Sequence, residues 1–453
     1  MCAPYSGLFT GSHEEIRKLC NNGQLDKALE LLFALDIPSS MDIYISILRL
    51  CSKKKALHHA KQIHSHLLEQ GIELNGLLGD YLVVTLANCS AIEEALDLFL
   101  EMPMHSVFSW TAIISAYAEV GFGEEALEMF PLMQKEGVEA SSHTFVSLFK
   151  ACGSSRDLPK GMSSHLDACK KGVAPTVFVA LGNTLISMYG KCGSIDEAKY
   201  VFCGMKVRNT VSWNAMISVL VEKGQGKEAL KLYAQMLYDH VNVDLATFVV
   251  VLQACGLLVA GGKLESNSNS STAMCLEIGH ALHSQIRREG TVSNSFIASA
   301  LISLYGKCKM IIMAEYVFTS MLEPSVVLWN AMFSAYLESD QGEKALQLYT
   351  RMREENVSPD DATYVVTIQA CATLAEKEEI FEIGDAKLMP LRIGHVLHAS
   401  SHYQGATSNV LVNNTLLTMY GKCGVIAEAE HLFCGFSLRS IMSWNAMFSV
   451  YVE

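Results

Sequence analysis

Three stretches of this 453-residue chain are nearly the same: YGKCGSIDEAKYVF at 189–202, YGKCKMIIMAEYVF at 305–318 and YGKCGVIAEAEHLF at 420–433. They begin 116 and then 115 residues apart. Self-similarity at a nearly fixed period is typical of repeat proteins, in which each copy is one supersecondary unit. The chain is therefore predicted to be an array of stacked units rather than a set of independent globular domains.

The units are of three types. Trp-bearing units of 35 residues are clearest at 210–244, which reads TVSWNAMISVLVEKGQGKEALKLYAQMLYDHVNVD. Middle units contain TFVSLFKACG or a variant of it and a later His, and short units carry the YGKC phrase. The predicted order is a degenerate first repeat within 1–40, middle units at 41–75, 142–178, 245–294 and 361–409, short units at 76–106, 179–209, 295–325 and 410–440, and Trp-bearing units at 107–141, 210–244, 326–360 and, in part, 441–453.

Two middle units are longer than the others because they carry insertions. The segment VAGGKLESNSNSSTA at 259–273 is of low complexity and is predicted to be a loop. The segment LAEKEEIFEIGDAKL at 374–388 is acidic and is predicted to be partly helical.

Each unit is predicted to be a pair of short helices. In the short unit 179–209, apolar residues recur at helical spacing on both sides of Gly193, which is expected to break the chain. Ser194 and Glu197 have the spacing of a capping box at the start of the second helix.

The short unit 295–325 departs from this pattern. It has Lys309 and Met310 where the unit 179–209 has glycine and serine. We therefore expect it to lose both the helix break and the cap, and to be the least stable of the short units.

A register of alanines supports close packing of the helix pairs. The twentieth residue of every short and Trp-bearing unit, and its counterpart in the first repeat, is alanine: Ala28, Ala95, Ala126, Ala198, Ala229, Ala314, Ala345 and Ala429. A two-helix unit cannot bury its apolar face alone, so neighbouring units must stack. The predicted fold is all-α, an α-solenoid superhelix of helix-turn-helix units, and no β-sheet is expected.

Composition excludes several classes of protein. Half of the residues are hydrophobic and 18% are charged, but the longest apolar run, 248–262, is too short to cross a bilayer. The net charge of −13 argues against nonspecific binding to nucleic acid, although it allows a locally basic groove. The 14 cysteines include no CxxC pair, which favours reduced thiols over a disulfide framework.

The two ends of the chain carry little information on targeting. The first 18 residues have the features of neither a secretory signal nor a good transit peptide. The chain ends with SWNAMFSVYVE, within a unit that is complete elsewhere, and we interpret it as a fragment.

The three unit types resemble the pentatricopeptide repeats of the plant-type array, which cycles through P, long (L) and short (S) variants. The Trp-bearing units carry VSWNAMIS and G..EAL.LY..M of P units, the short units carry N.L..MYGKCG.I.EA..VF..M of S units, and the middle units carry the TF....ACG of L units with its later G and H. The resemblance extends from about residue 9 to residue 453.

This resemblance implies binding of single-stranded RNA with one base per repeat. The fifth and the last residue of each P or S unit would read the base. The pairs are Thr111 and Ser141 (purine), Asn183 and Asn209 (C), Asn214 and Asp244 (U), Ser299 and Ser325 (purine), Asn330 and Asp360 (U), and Asn414 and Ser440 (pyrimidine, C preferred). The L units have Val146, Val249 and Val365 at the fifth place and are read as spacers. The predicted target is 5′-R-N-C-U-N-R-U-N-Y-3′.

The resemblance also implies a location in the mitochondrion or the chloroplast and a role in RNA processing, above all site recognition for C-to-U editing. A monomer that binds organellar RNA, with an editing deaminase or an accessory editing factor as a further partner, is expected. The deaminase reaction needs H-x-E together with P-C-x-x-C. Only His13-Glu14-Glu15 is present, so we expect no enzyme, no cofactor and no metal in this chain, with any catalysis in a missing C-terminus or a partner.

Other interpretations of single motifs were weighed. Eight of the cysteines form two rows at fixed places, which we expect to lie far apart and not to serve metal or redox chemistry. The rows are the fourteenth residues of the S units, Cys89, Cys192, Cys308 and Cys423, and the eleventh residues of the L units, Cys51, Cys152, Cys255 and Cys371. His280 and His395 lie three residues before His283 and His398 and could clamp a metal, but no third ligand is apparent. GFGEEA at 121–126 imitates a dinucleotide fingerprint but joins two predicted helices.

Two further alternatives remain open from the sequence. Lys191, Lys307 and Lys422 share the thirteenth place of S units and could contact phosphates or form ion pairs with neighbouring helices. The whole array could be a protein-binding scaffold in which the fifth-place residues only cap helices.

Overall fold

The computed structural model describes residues 6–34, 40–74, 76–173, 178–262, 268–288, 290, 294–378, 388–436 and 439–452. Within these ranges the chain forms 25 α-helices and one 3-10 helix, and it contains no β-strand. The predicted all-α class is confirmed. None of the described helices is both long enough and apolar enough to span a bilayer.

The chain divides into two compact bodies. The first, Met1–Lys223, contains α1 (Ser6–Asn21), α2 (Leu25–Phe33), α3 (Met41–Lys54), α4 (Leu57–Glu69), α5 (Leu77–Asn88), α6 (Ile92–Glu101), α7 (Val107–Val120), α8 (Gly123–Lys135), α9 (Ser142–Ser155), α10 (Leu158–Lys170), α11 (Val179–Lys191), α12 (Ile195–Gly204) and α13 (Thr210–Glu222). The second, Gly224–Glu453, contains α14 (Gly226–Tyr238), α15 (Leu245–Gly262), α16 (Ser268–Arg288), α17 (Ser295–Lys307), α18 (Ile311–Thr319), α19 (Val326–Glu338), α20 (Gly342–Glu354), α21 (Asp361–Glu378), α22 (Leu388–Tyr403), the 3-10 helix Ala406–Ser408, α23 (Val410–Lys422), α24 (Ile426–Cys434) and α25 (Ile441–Val452).

Within each body the helices stack as a solenoid. The first helix of a unit packs on the second helix of its own unit and on the first helices of both neighbours, as α9 does on α10, α7 and α11. All eight alanines of the twentieth position are fully buried. Their small side chains allow the two helices of a unit to approach closely, as the register predicted.

The recurring YGKC phrase is explained by contacts with both neighbouring units. The hydroxyl of Tyr189 lies 2.9 Å from Nδ1 of His165 in the preceding L unit. A β-carbon at Gly190 would overlap Cγ2 of Val219 in the following P unit. The second body repeats both contacts, with His283 and Tyr305 2.9 Å apart, His398 and Tyr420 2.8 Å apart, and Gly306 and Gly421 packed on Ala335 and Val450.

The cysteine rows are closer than we predicted. Sγ of Cys192 lies 3.7 Å from the carbonyl oxygen of Cys152, and Sγ of Cys89 lies 4.0 Å from that of Cys51. The prediction was wrong because the first helices of an L unit and the next S unit lie side by side. Burial raises the pKa of Cys51 and Cys152 to about 12, so both remain neutral thiols.

The predicted capping box at Ser194 is also wrong. Ser194 precedes α12, but its side chain makes no capping hydrogen bond. Capping boxes occur instead where a P or L unit begins, with Ser106 before α7, Ser141 before α9 and Asn209 before α13. The serine or asparagine that caps is thus the last residue of the preceding unit.

The helix break in the S unit 295–325 is retained, contrary to the prediction. α17 ends at Lys307 and α18 begins at Ile311. Lys309 adopts the left-handed conformation with φ 58°, as Gly193 does in its own unit with φ 91°. A lysine has a β-carbon that disfavours this conformation, so the break is kept under backbone strain.

The insertions lengthen helices in the L units. α15 continues to Gly262 and α16 begins at Ser268, so the predicted loop is wrong for 259–262 and 268–273, while 263–267 lies outside the described residues. Buried Val259 anchors the added turn of α15. In the second insertion, 374–378 and Leu388 are helical, in line with the prediction, and 379–387 lies outside the described residues.

Candidate nucleic-acid interface

The fifth and last residues of the P unit 326–360 lie side by side. Nδ2 of Asn330 donates to Oδ1 of Asp360 at 2.9 Å. Oγ1 of Thr363, the third residue of the next L unit, lies 2.7 Å from Oδ1 of Asn330 and 2.8 Å from Oδ1 of Asp360, so its one hydrogen can be donated to either. Thr363 is fully buried, whereas Asp360 is exposed. The pair of Asn330 and Asp360 is therefore held on its buried side by Thr363 and is accessible to solvent on the other side.

The hydrogen bonds around Asp360 also fix its charge. Burial on its own raises the pKa of the Asp360 carboxyl, but hydrogen bonds from Thr363 and Asn330 outweigh this effect and lower the pKa below its ordinary value. The carboxylate is therefore ionised at neutral pH and offers acceptors to a ligand.

The P unit 107–141 has the same arrangement with hydroxyl groups. Oγ1 of Thr111 lies 2.7 Å from Oγ1 of Thr144, which lies 3.0 Å from Oγ of Ser141. Asn214 belongs to the first body and is 8% exposed. In the second body Asp244 accepts hydrogen bonds from the backbone and the hydroxyl of Thr247, both at 2.8 Å.

The S units hold their fifth residues differently. Oδ1 of Asn183 and Oδ1 of Asn414 are buried and have no hydrogen-bond partner among the described residues. An unsatisfied buried acceptor costs about 1–3 kcal/mol, which a donor on a ligand could recover. Their partners at the last place, Asn209 and Ser440, accept backbone hydrogen bonds from the next helix at 3.0 and 3.1 Å.

The S unit 295–325 has the weakest pair. Oγ of Ser299 donates to the carbonyl oxygen of Phe296 at 2.9 Å, within its own helix. Ser325 precedes α19, and its side chain makes no capping bond. Among the described residues, no hydrogen bond links Ser299 to Ser325.

Sequence reasoning missed a row of exposed apolar side chains at the second place of the P and S units. The second and fifth residues are three apart on one helix and therefore share a face. The row consists of Leu77, Phe108, Val211, Phe296, Val327, Leu411 and Met442, each between 52% and 71% exposed. Apolar surface beside hydrogen-bonding groups suits stacking against a nucleobase, and the spacing could have revealed the row.

The register also extends to the S unit 76–106, for which no base was predicted. Its fifth residue, Asp80, is 6% exposed, and its Oδ1 has no hydrogen-bond partner in the described part of the chain. Its last residue is Ser106, the cap of α7. Counting the fifth place in this unit would have found both residues.

The thirteenth-place lysines divide between the two alternatives. Lys422 forms an ion pair with Glu376 of α21. Neither Lys191 nor Lys307 forms an ion pair with any residue that the structure describes, and Lys191 is exposed. Ion pairing therefore explains Lys422, whereas the ammonium groups of Lys191 and Lys307 have no acidic partner among the described residues.

The remaining motifs have structural roles. Among the described residues no group of three His, Cys, Asp or Glu side chains is placed to hold a metal. His283 and His398 contact buried tyrosines, as noted above. In GFGEEA, Gly121 ends α7 in the left-handed conformation with φ 97°. A β-carbon at Gly123 would lie 2.7 Å from the carbonyl oxygen of Ala151, so the second glycine serves helix packing.

Comparison with known proteins agrees with this geometry. The model of the PPR (pentatricopeptide) repeat family matches residues 105–154, 208–256 and 324–373, and a second PPR repeat model matches 183–210 and 296–324. The chain belongs to the pentatricopeptide repeat family. Family members among the curated proteins of Arabidopsis thaliana include At4g18520, chloroplastic (32% identical, covering 91% of this chain and 61% of that protein), At3g02330, mitochondrial (30%, 91% and 44%) and CRR2, chloroplastic (31%, 83% and 56%).

These pentatricopeptide repeat proteins are longer than this chain, which spans about half the length of each. Their names place them in the chloroplast or the mitochondrion, the two locations that the resemblance implied. The crystal structure of the pentatricopeptide repeat protein PPR10 from maize is similar in fold, with a TM-score of 0.54 at 19% identity over 98% of this chain and 71% of that one. This likeness confirms the α-solenoid.

Proposed function

We propose that the chain binds single-stranded RNA and reads one base with each P or S unit. The observation that carries the proposal is the hydrogen bond from Nδ2 of Asn330 to Oδ1 of Asp360, 2.9 Å long. The buried hydroxyl of Thr363 contacts both side chains and holds them in place. It brings together the two places that the resemblance assigns to base recognition. A rigid pair with exposed polar atoms is what discrimination between base edges needs.

The order of the pairs supports the target R-N-C-U-N-R-U-N-Y. Asn330 with ionised Asp360, and by the same register Asn214 with Asp244, would read U. Asn183 and Asn414 each hold a buried, unpartnered amide oxygen that could accept from the amino group of cytosine. The apolar second-place row would stack on the bases, and Lys191 and Lys307 would attract phosphates.

We further propose that this binding serves RNA processing in the chloroplast or mitochondrion, with C-to-U editing as the most specific form. Support comes from the organellar names of the relatives and from the P, L and S order of the units. In this role the chain selects the site as a monomer, and an editing deaminase or accessory factor is its partner.

The test is a titration of the purified chain with an oligonucleotide containing R-N-C-U-N-R-U-N-Y, at one fixed salt concentration, against a version with both U positions changed to G. Each misread base should cost about 1–3 kcal/mol. Asn330→Thr and Asn214→Thr should each remove part of this discrimination, while Asn22→Thr, an exposed change outside the row, should leave it intact.

The second interpretation is a protein-binding scaffold. In that case the polar residues of the row would serve only to start helices. The last-place residues other than Ser325 accept backbone hydrogen bonds at helix starts, but the fifth-place residues lie one turn inside their helices and cap nothing. Equal affinity for both oligonucleotides, unchanged by Asn330→Thr, would contradict RNA reading and favour the scaffold.

A further inference from the structure

The L units carry an unassigned row of long polar side chains, at their ninth place. The fifth residues of the four L units are the apolar Ile45, Val146, Val249 and Val365, which cannot hydrogen-bond to a base. The ninth residues are Arg49, Lys150, Gln253 and Gln369, and all four are exposed. The pattern separates the L units from the rest of the array.

The P and S units have short residues at this place. Seven of them carry a hydroxyl: Ser115, Ser187, Ser218, Ser303, Ser334, Thr418 and Ser449. Ser334 and Thr418 donate back to the carbonyl oxygens of Asn330 and Asn414, at 2.9 and 3.1 Å. A long side chain at the ninth place therefore accompanies an apolar fifth place, and a short one accompanies a polar fifth place.

Helix geometry connects the two places. Residues four apart lie on one face, and a long side chain on a helix leans towards the N-terminus, over the turn that precedes its own Cα. Gln253 thus covers the surface above Val249, and Gln369 covers the surface above Val365. From the ninth place of these two L units an amide side chain therefore extends towards the fifth place, which several P and S units fill with asparagine.

The four L units are not equivalent. Lys150 is paired with Glu119 at 3.6 Å, and the guanidinium of Arg49 lies 4.9 Å from the centre of the Tyr81 ring. Gln253 and Gln369 form no hydrogen bond with any described residue and are free to bind. Their units also end in asparagines, Asn294 and Asn409, whereas the unit of Lys150 ends in Phe178.

We propose that Gln253 and Gln369 each hydrogen-bond to the base opposite their own L unit, so that these two L units contact RNA rather than only space it. The inference rests on the proposed function and deepens it. An amide offers one acceptor and two donors, which complement the edges of a nucleobase. Asn294 and Asn409, which cap α17 and α23, would flank the same base as last-place residues do elsewhere.

The experiment is a double-mutant cycle on the full chain. The nucleotide opposite the L unit 245–294 is replaced by an abasic site, and binding of both oligonucleotides is measured for the native chain and for Gln253→Ala. The abasic site should weaken binding more in the native chain than in the variant, by roughly five- to tenfold, the equivalent of one hydrogen bond of about 1–1.4 kcal/mol. The same cycle applies to Gln369→Ala and the nucleotide opposite 361–409.

Two controls make the result specific. Gln235→Ala removes an exposed glutamine of the second helix α14 and should show no coupling to the abasic site. An abasic site opposite the L unit 142–178 should show no coupling to Gln253→Ala. Thermal melting of each variant checks that it folds as the native chain does.

The outcomes separate the inference from the function on which it rests. Intact discrimination at the two U positions, with no coupling at Gln253 or Gln369, would overturn the inference alone and leave the L units as spacers. Loss of U discrimination in the native chain would overturn the proposed function and the inference with it. Coupling at the matched nucleotides, absent from both controls, supports both.

Discussion

Gly190 and Val219 touch so closely that a β-carbon at position 190 would overlap Cγ2 of the valine. The two residues lie on α11 and α13, the first helices of consecutive S and P units. Their contact sets the distance between these helices. It explains why the phrase YGKC keeps its glycine in three of the four S units.

Gly190→Ala should destabilise the chain, because the added methyl group must push α13 away or distort it. Overpacking of this kind typically costs about 1–3 kcal/mol. Urea unfolding of the two proteins measures the effect. Gly204→Ala is the matched control, since a β-carbon there meets no atom within 4 Å, and Val219→Ala should recover part of the loss by opening space.

Lys309→Gly should stabilise the S unit 295–325. Lysine at φ 58° is in a conformation that glycine adopts without the steric cost of a β-carbon, a gain of roughly 1 kcal/mol. Hydrogen exchange of the amides in α17 and α18 is the measurement, and greater protection is expected. Unchanged protection would show that the strain at Lys309 is relieved elsewhere.

The native S unit 295–325 is also expected to exchange faster than 179–209, the unit that has Gly193 at the same turn. Local opening reports the stability of each segment, so the comparison needs no variant. Equal protection of the two units would contradict the prediction.

Ser194→Ala should leave stability nearly unchanged, although the sequence around it has the spacing of a capping box. Its side chain makes no capping bond. Asp157→Ala is the counterpart, because Asp157 caps α10 by accepting from the backbone of Lys160 at 3.0 Å. That change should cost about 0.5–2 kcal/mol, and thermal melting of both variants checks the contrast.

The free energy of unfolding should fall as the pH drops below about 6.5, the ordinary pKa of histidine. Burial lowers the pKa of His165 in the folded chain, so the unfolded chain binds more protons between the folded and the unfolded pKa. The stabilisation is complete above the unfolded pKa and is lost as the pH falls to the folded one. Tyr189, the partner of His165, stays neutral throughout, since burial raises its pKa to about 12.

Urea midpoints at pH 7.5 and pH 5.5 test this prediction. His165→Gln should reduce the difference between the two midpoints, because it removes the proton that the unfolded chain takes up. His143→Gln, a change at an exposed residue of the same L unit, should leave the difference as it is. A native difference that His165→Gln does not alter would assign the pH dependence to other groups.

The class of the fold could be predicted from the sequence because small residues recur at fixed places. The buried alanines, for example Ala198 and Ala314, follow from the need to pack two helices closely, and this need is local to each unit. The places of the proposed base-reading pairs follow from the same register. Packing between units was harder to predict, because it depends on how far each first helix is displaced from the next.

The errors have physical causes of the same kind. The contact between Cys152 and Cys192 depends on a helix pair formed by two different units. The strained turn at Lys309 is retained because the helices on both sides are held by their neighbours, which outweighs the local preference of lysine. Ser194 has the right spacing for a capping box, but the backbone before α12 does not bring its hydroxyl to the first amides.

The last residue of a unit stands at the junction with the next, where Ser141, Asn209 and Ser440 accept backbone hydrogen bonds at the start of the following helix. Asn, Asp, Ser and Thr are also the residues that start helices best. Under the proposed RNA reading, any redesign of the last place for a new transcript is therefore restricted to these four residue types. A side chain chosen only to match a base would weaken the junction between two repeats, so the target sequence and the stability of the array must be designed together.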